Sequence, residues 1–467
     1  MDRQTKIDSI VSLMEDFPAA FNYLNLAGNR AFADWFMPRL EALREFDFWE
    51  DDELRVIQAR RLGNLLSYLK KTSPFWKERL LAYGINPRSA SILEDIKRLP
   101  VIDRKFFTGK EAYALPRDES HSMIHTRYTS GTTDTSMAVL ISDPEMSLDI
   151  LSCLFRQPYF DLQKMRELLG RKFFFFLGRT VLPHYASFAR GFPLDNFTKL
   201  SDPNVRGEIY GILKKEPQTL WAFSTVAAEF AHYLAQDGES LPLLAAYTHS
   251  ESSPIDERLF VREKLNVPVV HLYVACETAI IGDECTSHFG KGYYHIPRER
   301  ALIEVLDGDN LPVKNNEEGK LVVTILDRKI TPILRYANGD RGRILSVSCD
   351  CGKKSPLFEM LGREGDRILL PDGEKFSALL LANNFLEIAN PKRIMAYQIR
   401  QESPGNVSIY VVPANGLFGN NEIAVMESAL SAAMGGGIKI NIRHTDDIAR
   451  GATGKLRFFM PLKLIGK

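Results

Sequence analysis

The spacing of apolar residues predicts a helical N-terminal region. From residue 1 to about residue 113, apolar side chains recur three and four positions apart, as at Leu62, Leu65 and Leu69, which places them on one face of a helix. Pro74 disfavours a helical conformation at the residue before it, so one helix should end at Ser73. We therefore expect packed helices before the first strands.

Between residues 171 and 306, short apolar runs alternate with helical stretches. The run from Val267 to Tyr273 is typical of a buried strand. The stretch before it, Pro254 to Leu265, is typical of a helix that carries proline near its first turn. This alternation predicts an α/β layout.

The pattern changes again from about residue 301 to about residue 350. Three short strand-like runs, Ile303–Leu306, Lys320–Leu326 and Arg343–Val347, are separated by Asp-Gly and Glu-Glu-Gly turn signals. We expect an antiparallel β subdomain in this part of the chain.

The last hundred or so residues carry strands of their own, at Ile394–Arg400 and Val407–Val412. They follow a segment in which Gly365 can adopt backbone angles that other residues avoid, so Gly365 suits a hinge. The chain is therefore predicted to be an α/β protein with a large N-terminal domain, residues 1–361, and a small α+β C-terminal domain, residues 362–467.

Composition and charge exclude several classes of protein. The 467 residues are 45% hydrophobic, and lysine plus arginine equals aspartate plus glutamate at 59 each, so no net charge attracts nucleic acid or an anionic membrane. The first sixteen residues lack the apolar stretch of a signal peptide. The conspicuous apolar block Phe173–Leu177 is far below the roughly 20 residues that span a bilayer. We expect a cytoplasmic protein without nucleic-acid or membrane partners, and the sequence leaves a homodimer open.

A loop after a predicted strand, Met123–Arg127, has the composition of a phosphate cradle. It contains Thr129, Ser130, Gly131, Thr132 and Thr133. Its hydroxyl groups and backbone N–H groups can surround phosphate oxygens, although similar clusters also form ordinary turns. The P-loop signature is absent, because Leu456 follows Gly454-Lys455 and Ala449 stands where the first glycine should be.

Further motifs occur in a fixed order along the chain. They are Ser73-Pro74-Phe75-Trp76, Leu93–Pro100, Thr129–Thr133, Ser250-Glu251, Tyr273–Glu277, Arg335–Asp340, Gly362-Arg363 and Thr453-Gly454-Lys455. In these residues and their order the chain resembles the phenylacetate-CoA ligase-like branch of the adenylate-forming (acyl-CoA synthetase) superfamily. The resemblance implies a large adenylate-forming domain and a small mobile C-terminal domain. It also implies activation of a carboxylic acid by ATP to an acyl-adenylate, with release of pyrophosphate and transfer to CoA.

The resemblance assigns catalytic roles to two residues. Lys455 would stabilise the charge that develops when a carboxylate attacks the α-phosphorus. Glu277, after a strand, would hold Mg²⁺ on the phosphates, because a hard cation takes oxygen ligands. Rotation of the C-terminal domain at Gly365 would bring Lys455 to the site for one half-reaction only.

The other implied roles concern the nucleoside. Ser250 and Glu251 stand at the adenine-side turn, and Tyr273 is expected against the adenine, although a strand tyrosine is equally suited to a core. Asp340, interpreted as part of a turn between strands, would accept both hydrogen bonds of the ribose diol with help from Arg363.

Members of this branch can also hold a structural zinc. The corresponding residues here are Cys285, His295, Cys349 and Cys351, a Cys3His set. His288 is an alternative to His295, and buried or reactive thiols are the alternative to a metal site.

The chain departs from the family pattern in the phosphate loop, where Asp134-Thr135-Ser136 replaces the usual Gly-Lys-Pro. The segment Leu370–Phe376 also lacks the family's Arg-Gly-x-Asn stretch, so a carrier protein or an amine is an alternative acceptor. A degenerate, non-catalytic nucleotide-binding protein is the alternative of another class. A set of aromatic residues would suit an aryl or other apolar acid, or simply the core. These are Phe173, Phe174, Phe175, Phe176, Phe188, Phe192, Trp221 and Phe223.

Overall fold

The computed structural model describes residues 2–18, 20–21, 24–115, 124–129, 137–155, 159–178, 187–194, 199–251, 253–450 and 456–462. Residues 130–133 of the predicted phosphate cradle and Lys455 lie outside these ranges. The helices are α1 (Arg3–Glu15), α2 (Arg30–Phe46), α3 (Asp51–Thr72), α4 (Pro74–Ala82), α5 (Ile92–Asp95), α6 (Asp143–Phe155), α7 (Leu162–Leu168), α8 (Pro203–Lys215), α9 (Ser224–Asp237), α10 (Ile255–Leu265), α11 (Ala378–Ala389) and α12 (Asn420–Ala433).

Nineteen strands lie within the described residues. They are β1 (Ile124–Tyr128), β2 (Ala138–Ser142), β3 (Phe174–Gly178), β4 (Ala189–Pro193), β5 (Thr219–Phe223), β6 (Ala245–His249), β7 (Val269–Ala275), β8 (Ala279–Glu284), β9 (Tyr293–His295), β10 (Ala301–Leu306), β11 (Gly319–Ile325), β12 (Tyr336–Ile344), β13 (Leu357–Arg363), β14 (Arg367–Leu369), β15 (Lys375–Ser377), β16 (Ile394–Ser403), β17 (Asn406–Pro413), β18 (Lys439–His444) and β19 (Phe459–Met460). The predicted mixture of helices and strands is confirmed.

The predicted break between two N-terminal helices is confirmed. Helix α3 ends at Thr72, and α4 begins at Pro74, whose missing N–H costs nothing in a first turn. The Ser73 side chain accepts a hydrogen bond from the Trp76 N–H at 3.3 Å, which caps α4. Trp76 is itself buried, and its indole N–H donates to the Ala112 carbonyl at 2.9 Å.

Eleven strands form one mixed sheet, in the order β10-β11-β12-β13-β9-β8-β7-β6-β5-β3-β4. Strands β4, β3, β5, β6 and β7 pair in parallel with one another. From β7 to β10 every pairing is antiparallel. Strands β3, β5, β6 and β7 are largely buried, as expected where strands alternate with covering helices, whereas the edge strand β4 is partly exposed.

The strands of residues 301–350 pair antiparallel, as predicted, and β13 connects them through β9 to the parallel part. Their division into a subdomain stays a prediction. Three other sequence-based expectations need correction. The expected strand Arg343–Val347 is the end of β12, which begins at Tyr336. Asp340 therefore lies within a strand, since the bend at Gly339, with φ of +85°, does not end the pairing. Strand β7 begins two residues later than expected.

The C-terminal part has a separate hydrophobic core. A four-stranded sheet in the order β18-β17-β16-β19 packs against helices α11 and α12. Its core runs from Ile368 to Phe459 and includes Phe385, Ile409 and Leu430. The division of the chain at residues 361 and 362 stays a prediction. In the part of the chain that the structure describes, no helix has the length and apolarity needed to cross a membrane.

Candidate active site

A cavity lies where strands β7, β12 and β13 face helices α10 and α11. Five of the predicted nucleotide-binding residues line it, although they are spread over more than a hundred positions of sequence. These are Ser250, Glu251, Tyr273, Asp340 and Arg363. The fold therefore brings together the described members of the predicted nucleoside site.

The Asp340 carboxylate lines this cavity and accepts hydrogen bonds from three side chains. Strand register pairs Asp340 directly with Arg363, and the Arg363 Nε donates to Asp340 Oδ1 at 3.1 Å. The Tyr273 hydroxyl donates to Oδ2 at 2.5 Å, and the Asn338 amide donates to the same oxygen at 2.7 Å. The Asp340 charge raises the pKa of Arg363. Burial, with the Asp340 charge, raises the pKa of Tyr273 well above its usual value. These hydrogen bonds hold the Asp340 carboxylate in one position.

The Tyr273 ring is buried and packs against Phe358 and Tyr294, with ring centroids 5.6 and 6.5 Å away. Its contact with adenine stays a prediction. Sequence reasoning gave no role to Asn338, which orders both Tyr273 and Asp340. The sequence signal for Asn338 was its position within the motif Arg335–Asp340.

Ser250 and Glu251 form a tight turn after β6. Ser250 has φ of +63°, a left-handed conformation that is uncommon for a residue with a Cβ. The Glu251 Oε2 accepts hydrogen bonds from the Thr225 N–H at 3.0 Å and the Thr225 hydroxyl at 2.8 Å. Its Oε1 accepts from the Leu456 N–H at 3.2 Å. Glu251 therefore joins helix α9 to the residue that follows the predicted catalytic lysine.

Glu277 follows β7, as predicted, and is buried. The Tyr336 hydroxyl donates to its Oε1 at 3.1 Å. Burial raises the pKa of Glu277, since removal from water penalises the charged form. Arg328 fixes the backbone by donating from Nε to the Glu277 carbonyl at 3.1 Å. A cation on the phosphates would also favour the ionised form of this side chain, and that role stays a prediction.

A network of buried charged residues is connected to Glu277 through Arg328, and it was not predicted from the sequence. Asp149 on α6 accepts two hydrogen bonds from Arg328, at 2.9 and 3.0 Å. Arg127 on β1 donates to it at 3.0 Å, and Arg300 lies 3.4 Å away. Although burial opposes ionisation, these guanidinium groups hold the pKa of Asp149 well below its usual value. The sequence signal for this network was the acidic residue Asp149 among the apolar residues of helix α6.

Thr129 is the described residue at the start of the predicted phosphate cradle. Its N–H donates to the Met137 carbonyl at 3.0 Å, and its hydroxyl accepts from the Met137 N–H at 2.9 Å. These bonds continue the β1–β2 hairpin. The loop is therefore the connection of a hairpin, although the predicted contacts of Ser130, Gly131, Thr132 and Thr133 lie outside the described residues.

The four predicted zinc ligands converge on one point. One ligand atom from each of Cys285, His295, Cys349 and Cys351 lies within 4.8 Å of the others. The His295 Nδ1 lies 3.2 Å from the Ser355 carbonyl, which leaves Nε2 facing Cys351 Sγ at 3.2 Å. Such orientation by a carbonyl is typical of a ligating histidine. His288 is 3.5 Å from Cys349 but is not part of the four-residue group. Three thiols and an imidazole are a donor set that suits zinc.

The aromatic residues proposed for an acid pocket are mostly core residues. All except Phe176 are buried. Trp221 lies between Phe174 and Tyr247, with ring centroids 5.7 and 5.6 Å away. Phe176 is half-buried and lies 5.4 Å from Trp221. Packing in the sheet accounts for most of this set.

The chain is similar in sequence to a known family model and to a known ligase. The family model described as the CapK C-terminal domain matches residues 368–460. A phenylacetate-coenzyme A ligase of Thermus thermophilus is 25% identical over 389 residues, which cover 78% of this chain and 80% of that protein.

Solved structures show the same fold. A 2-hydroxyisobutyryl-CoA ligase in the postadenylation state, in complex with R3-HIB-AMP, matches with a TM-score of 0.70 and 16% identity over 90% of this chain and 92% of that one. The same ligase in the thioesterification state, with 2-HIB-AMP and CoA, matches with a TM-score of 0.56 and 16% identity over 89% and 91% of the two chains. Together with the motifs gathered around the cavity, these likenesses support the resemblance of the chain to the phenylacetate-CoA ligase-like branch of the adenylate-forming superfamily.

Proposed function

We propose that the protein is an AMP-forming acid–CoA ligase. A carboxylate oxygen of the substrate attacks the α-phosphorus of ATP, and pyrophosphate leaves. The thiol sulfur of CoA then attacks the acyl carbon, the thiol proton is released, and AMP leaves. This reaction is the one in which a carboxylate acceptor for ribose, an acid near the phosphates and a mobile lysine are needed together.

The observation that carries the proposal is the Asp340 network. Its carboxylate is buried between Arg363, Tyr273 and Asn338, and it lines the same cavity as Ser250 and Glu251. A carboxylate has about four acceptor positions, and the three existing donors leave about one of them, on Oδ1, for a ribose hydroxyl. Such a fixed acceptor orients the nucleotide without reorganisation during the reaction.

Two metals belong to the proposal. Glu277 would bind Mg²⁺, which would screen the phosphate charges, while Lys455 would stabilise the transition state at the α-phosphorus. The Cys3His group would hold a structural Zn²⁺ that joins β8 and β9 to the segment before β13. Both assignments rest on donor chemistry.

The acid and the acceptor are open to experiment. Phe176, half-buried beside Trp221, is the one member of the predicted aromatic set that is not buried, so it is the proposed contact for an apolar acid. CoA is the proposed acceptor, and a carrier protein or an amine is the alternative suggested by the altered segment Leu370–Phe376. The reaction is proposed to take place in the cytoplasm.

ATP–pyrophosphate exchange with a broad panel of aromatic and aliphatic acids tests the proposal. We expect exchange with at least one acid, and loss of at least about 100-fold in Lys455→Ala. Asp340→Asn should raise the KM for ATP about 10-fold or more, since the diol loses a charged acceptor. Absence of exchange with every acid would support the non-catalytic alternative. Adding CoA, candidate carrier proteins or amines to a positive reaction then identifies the acceptor.

A further inference from the structure

Two residues on either side of positions 451–455 are connected to helix α9, Arg450 through its side chain and Leu456 through Glu251. On one side, Arg450 forms an ion pair with Glu229 and donates to the Thr225 hydroxyl at 3.4 Å. On the other side, the Leu456 N–H donates to Glu251, which also binds Thr225. We call Thr225, Glu229 and Glu251, together with Arg450 and Leu456, the clamp.

Helix geometry explains why one end of α9 can hold both positions. Thr225 and Glu229 are four residues apart in α9, so their side chains lie on the same face. The α9 N-cap residue, Phe223, provides no side-chain hydrogen bond. The Glu251 carboxylate takes that place by accepting the Thr225 N–H, where the helix dipole favours a negative charge.

The Glu229–Arg450 pair is well shielded from water. The two side chains are 17% and 22% exposed. Burial raises the pKa of Glu229, and the Arg450 charge opposes that effect. If Arg450 moved away, Glu229 would keep its burial and lose this partner, so the contact favours the present arrangement.

The clamp joins parts of the chain on opposite sides of the predicted hinge at Gly365. A large rotation there would separate Arg450 from Glu229 and Leu456 from Glu251. The chain superposes better on the related ligase in its postadenylation state than in its thioesterification state, with TM-scores of 0.70 and 0.56. The clamp is therefore a feature of an arrangement closer to the former.

We propose that the clamp holds the C-terminal part of the chain against helix α9 for adenylation only, and that Glu229 and Arg450 are positioning residues for that half-reaction. Leu456 directly follows the predicted catalytic Lys455 in the sequence. This inference rests on the proposed function. It adds two residues that do not line the cavity.

The two half-reactions separate this role from a general structural one. Glu229→Gln removes the charge and keeps the shape. We expect it to lower the kcat of ATP–pyrophosphate exchange by about 10-fold to 100-fold, the usual effect of losing a charge-assisted contact. The KM for ATP should change less than about 3-fold, and CoA thioester formation from synthetic acyl-adenylate less than about 2-fold. Arg450→Met should behave alike, and the double variant should lose little more than either single variant.

Lys199→Met is the matched control. Lys199 and Asp447 also connect the two sides of the hinge, at 2.9 Å, but both are largely exposed, and such pairs contribute little. This variant should leave both half-reactions unchanged. Equal loss of both half-reactions in Glu229→Gln, or no loss of exchange, would overturn the inference.

A second measurement does not depend on activity. Tryptic cleavage after Lys455 in the full-length native protein, followed by mass spectrometry, should be at least about 5-fold faster in Glu229→Gln than in wild type or Lys199→Met. Equal cleavage rates would refute the clamp. If the cleavage rates differ in this way but the wild-type protein catalyses no exchange with any acid, the proposed function is refuted, and with it the adenylation role of the clamp.

Discussion

Replacing Asp149 by asparagine should destabilise the protein more than any substitution of a surface ion pair. Asp149 is buried, and Arg328, Arg127 and Arg300 surround its carboxylate at 2.9 to 3.4 Å. Asparagine fills the same space but leaves the guanidinium charges without this carboxylate, and its NH2 group must face a donor. Breaking a buried ion pair from one side costs about 3–5 kcal/mol.

Urea unfolding followed by tryptophan fluorescence measures this cost. The four tryptophans, Trp35, Trp49, Trp76 and Trp221, belong to the same large part of the chain as Asp149. With a slope of about 3 kcal/mol per molar urea, the midpoint should fall by about 1–2 M. Asp34→Asn is the control, because the Asp34–Arg166 pair is more than half exposed at 2.8 Å and should contribute less than about 1 kcal/mol.

The pH dependence gives an independent check. The folded-state pKa of Asp149 lies below its value in the unfolded chain, so its stabilising effect is present above about pH 4 and is lost as pH falls through the folded pKa. The difference between wild type and Asp149→Asn should thus stay constant from pH 5 to 8 and shrink in stronger acid. A cost no greater than that of Asp34→Asn at pH 7 would refute the interpretation of the network as a stabilising centre.

Three further outcomes are expected. Burial raises the pKa of Glu257 from 4.5 to about 7. Because this folded-state pKa exceeds the unfolded one, the stability of the wild-type protein falls as pH rises from about 4.5 to 7. Glu257→Gln should therefore be more stable than wild type by about 3 kcal/mol at pH 8 and equal to it near pH 4. Urea midpoints at the two pH values test this, and a gap independent of pH would contradict it. Cys349→Ser should lose zinc by elemental analysis and melt at a lower temperature, whereas Cys276→Ser, outside the four-residue group, should keep one zinc per chain; a wild-type protein purified without zinc would argue against the site. Gly365 has no positive φ here, and a Cβ on it would meet nothing within 4 Å. Gly365→Ala should therefore preserve pyrophosphate exchange and slow thioester formation several-fold. If the variant matched wild type in both assays, Gly365 would not be the hinge.

Local chemistry made some features of this fold predictable. The break at Ser73-Pro74 depends on neighbouring residues alone, and it is confirmed. The strands β16 and β17 were visible because their apolar runs are long and bounded by turn residues. Asp340 was placed in a turn because Asn338-Gly339-Asp340 has turn composition, whereas pairing with β11 and β13 keeps these residues in a strand.

Contacts between distant residues account for what sequence reasoning missed. The Cys3His group was found only through resemblance to a family, since its members are up to 66 positions apart. Asp149 and Arg328 are 179 residues apart, and Glu229 and Arg450 are 221 apart. No periodicity connects such pairs, and only the folded chain shows that they meet.

The strand order of the large sheet also sets a limit on folding during synthesis. Strand β13, residues Leu357–Arg363, lies between β12 and β9 although it is made after both. Until the ribosome has released residue 363, β9 and β12 each present an open edge where β13 belongs. A nascent chain stopped before residue 357 therefore cannot close the sheet, and chaperones that cover strand edges should act on it at this stage.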